Sequence, residues 1–165
     1  MIINEIIKRR SVREFRTDSV PEEMIDEIIR AAQFAPTARN NRAVEFIVIR
    51  NLKTKSALYK IVGQEYVKEA PLILVLTTDT TKTGCPVEDL SAASENVFLQ
   101  ATNIGLGTVW KAVKEESQEA KIKQLLGIPL KYKIINIIPV GYPKVEPEPH
   151  RDSDFDASKI HLENW

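Results

Sequence analysis

Arg9, Arg10, Ser11 and Arg13 place four groups that can donate hydrogen bonds to an anion within five residues. Guanidinium forks match phosphate oxygens in pairs, and a hydroxyl or a free backbone N–H can complete such a cage. Each charge-assisted bond to phosphate contributes about 1.5–3 kcal/mol, so two or three could anchor a nucleotide. The same run also reads as a solvated charge cluster at a helix end, where cations favour the helix dipole. Alone, it does not choose between the two.

A second segment, Ala35-Pro36-Thr37-Ala38-Arg39-Asn40-Asn41-Arg42-Ala43, combines small residues with the uncharged hydrogen-bonding groups of Thr37, Asn40 and Asn41. That suits close approach to a flat heterocycle bearing carbonyls and ring nitrogens, although Thr and Asn are equally common in capped turns. The stretch Asn103–Trp110 imitates a glycine-rich dinucleotide loop, yet Trp110 occupies the third glycine position and a helix precedes it where the fingerprint needs a strand. Gly105 and Gly107 read instead as a helix stop before a strand. His150 and His161 are the only histidines and Cys85 the only cysteine, so no metal centre, histidine triad or internal disulfide is expected. Asp89 and Asn96 share a helical face and read as surface or capping groups rather than an acid/base pair. No catalytic side chain is assigned.

Several elements must position these segments. Ile2, Ile3, Ile6 and Ile7 predict a short helix to about Lys8, followed by a polar loop over Arg9–Asp18. Ser19 and Glu22 have capping-box spacing, with Pro21 between them, and Met24, Ile25, Ile28, Ile29 and Ala32 form the buried stripe of a helix that Pro36 ends. Strands are predicted over Glu45–Arg50, Leu72–Thr77, Thr108–Lys111 and Lys133–Val140, and helices over Thr54–Val62, from Val87 to Gly105, and over Glu116–Leu126. Interspersed helices and strands mean a mixed α/β or α+β fold. After Gly141, Pro143, Pro147 and Pro149 punctuate a polar tail whose Ile160, Leu162 and Trp165 suggest docking, on a second subunit if not on its own.

At 165 residues with 43% hydrophobic and 28% charged residues, the chain is sized and composed as one globular domain. Lys plus Arg and Asp plus Glu both number 23, so no global field favours nucleic acid or an anionic membrane, and any cationic site is local. The longest apolar runs fall short of the ~20 residues of a membrane helix, and the N-terminus lacks signal-peptide architecture. A cytoplasmic location is expected.

Taken in order, these segments resemble the nitroreductase family. The resemblance is carried by Arg9-Arg10-Ser11-Val12-Arg13-Glu14-Phe15 after a helix, the Pro21-Glu22-Glu23 helix, Ala35 to Asn40, and Ala70-Pro71 before an apolar strand. Asp89 through Trp110, Gly141-Tyr142-Pro143 and the following Arg151 continue it. It implies an α+β fold with a mixed, mainly antiparallel central sheet flanked by helices, in an intertwined homodimer. Residues 1–142 would form the single domain and 143–165 a tail wrapping the partner subunit. It further implies flavin mononucleotide (FMN) at the dimer interface and NADH or NADPH as electron donor. Small acceptors such as nitroaromatics or quinones would then be reduced by a ping-pong mechanism, with neither nucleic acid nor membrane as partner. On that resemblance Arg9, Arg10, Ser11 and Arg13 match phosphate and ribityl contacts, and Pro36, Thr37, Ala38 and Asn40 the loop laid on the flavin by the partner. Ala112 and Val113 match backbone near the reactive edge of the ring, Gln64 falls near a ring-contacting amide, and Arg151 matches a tail cation returning to the phosphate. Arg42-Ala43-Val44 departs from a Gln-Pro-Trp-like sequence common in relatives, and Lys111-Ala112-Val113 lacks a glycine often found there. Both departures bear on substrate choice more than on flavin binding. A flavin carrier or redox sensor with little turnover would share the phosphate contacts, and a third alternative is a flavin-free interaction module with an anionic-peptide or phosphate patch.

Overall fold

In the computed structural model, which describes residues 2–165, the strand β2 (Leu72–Asp79) is buried along its whole length. Its alternating side chains divide between two cores, as the two-residue period of a strand requires. Leu72, Leu74 and Leu76 enter a cluster with Ile25, Ile28, Leu90, Val97 and Ala101, while Ile73 and Val75 enter another with Leu58, Val62, Val67, Ile122 and Ile137. The first core packs α2 (Glu22–Gln33) and α5 (Pro86–Asn103) on one face of the sheet. The second packs α3 (Leu52–Val62), α4 (Glu65–Glu69) and α6 (Glu116–Leu126) on the other. The α+β expectation therefore holds.

The sheet order is β1 (Val44–Ile49), β2, β6 (Asn136–Gly141), β3 (Gly107–Thr108), with β4 (Lys111–Ala112) also on β6 and β5 (Tyr132–Lys133) on β2. Every strand pair is antiparallel. The strand expected over Thr108–Lys111 is split. Gly107 and Thr108 face Gly141 and Val140, and Lys111 and Ala112 face Ile137 and Asn136 in the same register. The gap at Val109–Trp110 falls opposite Pro139, which has no N–H to give the ladder.

The strand expected over Lys133–Val140 is broken too. Thr78 faces Lys133 whereas Leu74 faces Ile138, so the later strand carries one extra residue, a β-bulge near Ile134–Ile135. The Ile134 N–H leaves the ladder and donates to the buried Glu119 carboxylate at 3.1 Å. Lys123 and Lys133 complete that carboxylate at 2.9 and 2.5 Å.

Most helix ends follow sequence rules. The Asn51 side chain caps α3, and Gly63 and Gly127 end α3 and α6 in the left-handed conformation. The capping box read at Ser19 and Glu22 does not form. Glu22 is the first helical residue, Pro21 takes the cap position, and the Glu22 carboxylate pairs with Arg50 on the β1–α3 connection. No helix among the described residues is long and apolar enough to cross a membrane.

Candidate functional site

The polar run after α1 (Asn4–Lys8) is an extended segment rather than the loop its composition suggests. Val12 N–H donates to the Thr108 carbonyl at 2.8 Å, and Ser11 forms a parallel bridge with Thr108. Phe15 bridges Pro143, with Arg16 N–H donating to Tyr142 and Lys144 N–H to Glu14, both at 2.9 Å. An extended backbone alternates its side chains. Val12 is accordingly buried, whereas Ser11 and Arg13 are exposed. Val12 seats on Gly107, where a Cβ would stand 2.6 Å from Val12 Cγ2. The absence of that Cβ sets the height of the cationic segment above the sheet.

Two adjoining clefts flank it. Lys8, Arg10, Gly105, Gly107 and Pro147 line one of about 380 Å³, and Ser11, Arg13, Val145 and Pro147 line one of about 210 Å³. The Pro147 stretch of the tail lies between them, held because His150 N–H donates to the Ile7 carbonyl at 2.8 Å. His150 Nδ1 lies 3.3 Å from an Arg10 guanidinium nitrogen and 3.1 Å from the Asp154 carboxylate. Arg9 turns the other way, toward Glu95 of α5 at 3.8 Å. Arg151 is brought near this end of α1 by its neighbour His150, but it is exposed and meets Glu148 at 3.7 Å. Arg10 thus lines one cleft and Ser11 and Arg13 the other, while Arg9 and Arg151 are engaged elsewhere.

The second segment forms a separate cleft of about 500 Å³ lined by Phe34, Pro36, Thr37, Asn40, Arg42 and Val44 among others. Its backbone is unusual: Arg39, Asn40 and Arg42 have φ of 53°, 54° and 50°. Side chains other than Gly and Asn resist that region. What holds it is Asp89, 2% exposed in the first turn of α5. Its carboxylate accepts from Ala38 N–H at 2.7 Å, Thr83 Oγ1 at 2.6 Å and Asn41 Nδ2 at 3.3 Å. Asn41 Oδ1 then accepts Ala43 N–H at 2.9 Å and Thr37 Oγ1 accepts Arg42 N–H at 3.1 Å. Asp89 is indeed a capping group, but of a loop remote in sequence. The signal available was an acid at a helix start preceded by Thr83. Asn96 does similar work, donating to the Ala31 carbonyl of α2 at 2.9 Å.

The remaining residues lie apart from both clefts. Gln64 is the exposed residue before α4 and its side chain makes no capping bond. Ala112 is half-buried in β4. Val113 is buried and its N–H already donates to Ile135 at 2.8 Å, so that N–H is not available to a ligand. Lys111 curls over to donate to the Ala112 carbonyl at 2.9 Å; burial, followed by the like charge of Lys114, pushes its ammonium below the usual lysine range.

Known proteins resemble this chain along nearly its whole length. The profile described as "Nitroreductase family" matches residues 6–69 and 60–142. A Methanothermobacter thermautotrophicus protein provisionally named NADH dehydrogenase/NAD(P)H nitroreductase is 37% identical over 169 residues, covering 99% of this chain and 87% of that protein. The structure of an FMN-dependent nitroreductase from Clostridium difficile superposes with a TM-score of 0.93 at 33% identity, covering 99% of this chain and 100% of the other. A Bacillus subtilis FMN reductase [NAD(P)H] is 29% identical over 126 residues, 68% of this chain and 51% of its own length.

Proposed function

The chain belongs to the nitroreductase family, and from that premise we propose that it is an FMN-dependent oxidoreductase that takes hydride from NADH or NADPH and reduces a small acceptor such as a nitroaromatic or a quinone. The observation that carries the reading is the locked segment Arg10–Arg13, whose exposed groups face clefts beside the small residues Gly105 and Gly107. That donor set fits a phosphate monoester. Arg10 and Arg13 supply forks, Lys8 a point charge and Ser11 a hydroxyl, with Gly107 keeping the wall close to the sheet.

The hydride and electron chemistry belongs to bound FMN, in two half-reactions that share one site. The protein contributes position and field. Arg10, Ser11 and Arg13 hold the phosphate end, and the Val12–Thr108 bond fixes their height. The Pro36–Asn40 loop, held by Asp89, would cover the flavin; it stands apart from the cationic clefts within one chain, which supports a site completed by a second copy. Ala112 would offer half-buried backbone to the flavin, and the neighbouring Lys111 ammonium would add positive potential there. No side chain is required as acid or base. The Pro143–Pro149 segment covers one flank, and the exposed Phe155, Leu162 and Trp165 beyond it form the surface for wrapping the partner in the cytoplasm.

The test is an absorbance spectrum of the purified protein before and after adding FMN, followed by steady-state oxidation of NADH and NADPH with nitroaromatic and quinone acceptors, and by sedimentation. A flavin spectrum, turnover and a dimer across the micromolar range are expected. A colourless protein that gains no flavin band overturns the reading. Flavin binding with negligible turnover for every acceptor replaces it with a carrier or sensor.

A further inference from the structure

The ~500 Å³ cleft between α2 and β1 has the size of a small-molecule pocket. Its walls divide by chemistry. Ala32, Ala35, Pro36 and Val44 supply apolar surface, Phe34 stands at the edge with its ring largely in solvent, and Arg42 supplies the only charge in the lining. Arg42 is held at both ends of its stem: its N–H donates to Thr37 Oγ1, and its Nε donates to the neutral Asn40 amide oxygen at 3.1 Å. Among the described residues no acceptor engages its Nη atoms, and no acid forms an ion pair with it. The nearest acid beneath the loop, Asp89, is buried, with both oxygens occupied by Ala38, Asn41 and Thr83. The neighbouring acid on β1, Glu45, faces the Tyr132 hydroxyl at 2.8 Å. Arg39, next along the loop, is likewise exposed and adds a second unneutralised cation.

An exposed arginine with nothing to orient it samples many rotamers. This one is braced through Nε by a neighbour whose own backbone is locked in the left-handed region. A guanidinium anchored at Nε still presents both Nη groups, the fork that matches a carboxylate in two parallel bonds. The apolar floor and the ring of Phe34 suit a planar substrate beside it.

We infer that Arg42 makes this cleft selective for planar aromatic acceptors that carry an anionic group, a carboxylate being the best geometric match. The inference rests on the proposed flavin reading, since the cleft is the substrate side of that site only if the Pro36–Asn40 loop covers the ring. The preference for anion over neutral isostere is one charge-assisted contact, about 10–100-fold in kcat/KM.

The experiment uses the flavin-loaded protein and two acceptors of the same shape, para-nitrobenzoate and para-nitrobenzamide, each with NADH and with NADPH. A second readout needs no turnover: benzoate and benzamide are titrated as dead-end ligands against the flavin absorbance. The wild-type protein favours the carboxylate in both measurements. Arg42→Gln brings the carboxylate-to-amide ratio to near unity, and so does Arg42→Gly, which suits the positive φ and guards against a folding defect. Equal preference in the wild-type protein, or a ratio unchanged in both variants, overturns the inference while flavin binding and turnover stand. A ratio near unity accompanied by an NADPH-over-NADH preference that disappears in Arg42→Gln also overturns it, because the anion recognised is then the donor's phosphate. No flavin band and no turnover with either acceptor overturns the proposed function itself.

Discussion

Removing the Asp89 carboxylate should unlock the Thr37–Ala43 loop without unfolding the domain. A left-handed conformation costs a non-glycine residue about 1–2 kcal/mol, less for Asn, so Arg39, Asn40 and Arg42 together store roughly 3–5 kcal/mol. Against that stand the bonds from Ala38 N–H and Asn41 Nδ2 to a buried carboxylate, each about 1.5–3 kcal/mol, or roughly 3–6 kcal/mol for the pair. The two sums nearly balance. Without Asp89 the strained loop therefore has little to hold it, while β2 and its two cores are untouched. The amides of Ala38, Asn40, Asn41, Arg42 and Ala43 all donate in the folded loop, so hydrogen exchange followed by mass spectrometry reads the outcome directly. In Asp89→Ala, peptides over 37–43 should approach unprotected exchange while peptides from β2 keep wild-type protection. Asp89→Asn keeps one acceptor for Ala38 and should fall between, with protection down by about 10–100-fold. Wild-type protection of the loop in Asp89→Ala, or loss of protection throughout the sheet, would refute the reasoning.

Gly107→Ala places a methyl against Val12 and should cost about 1–3 kcal/mol in a urea melt together with weaker FMN binding; Val12→Ala in the same chain should recover much of both, and additive losses would sink the contact. Glu119 is opposed by burial, but bonds from Lys123, Lys133 and Ile134 N–H hold its carboxyl below the usual glutamate range. Its stabilising effect is complete above the unfolded value near 4.5 and drains away as the pH falls through the lower folded value. Urea midpoints from pH 7 to pH 3 should therefore drop more steeply for the wild-type protein than for Glu119→Gln, which starts about 1–3 kcal/mol less stable. Lys55 is buried with its ammonium on the Ala70 carbonyl, and burial pushes it below the usual lysine range. Over the interval between its folded and unfolded values the unfolded chain binds more protons, so the wild-type protein should gain on Lys55→Met between pH 7 and pH 10.

What the sequence disclosed was governed by local signals. The stripe Met24–Ala32 and the run Leu72–Thr77 place α2 and β2 because period and burial coincide there. The bulge at Ile134–Ile135 left no mark, since Ile134, Ile135, Ile137 and Ile138 are apolar in either register and only the Glu119 carboxylate, far away in sequence, decides it. Helix α4 is too short for a period to show. The cations of Arg9–Arg13 could be read as an anion site, but not their division: Arg9, at the end of α1, meets Glu95, while Arg10 and Arg13 line different clefts beside a segment that the bridge to Thr108 holds in place. Asp89 was legible as a capping group at a helix start but not as the anchor of this loop, since its partners Ala38 and Asn41 are remote in sequence.

The bridge from Val12 to Thr108 also bears on how the protein is made. Synthesis delivers the Arg10–Arg13 segment well before its partner Thr108, and β6, which carries both β3 and β4 and completes β2, later still. Until Asn136–Gly141 emerges from the ribosome, the Leu72–Leu74 edge of β2 is unpaired and its core lacks Ile138 and Val140. Such contacts between distant segments form slowly, and an open apolar edge invites pairing with other chains. Folding of the sheet thus waits on β6, and until that strand is made the nascent chain has nothing to close the far edge of β2.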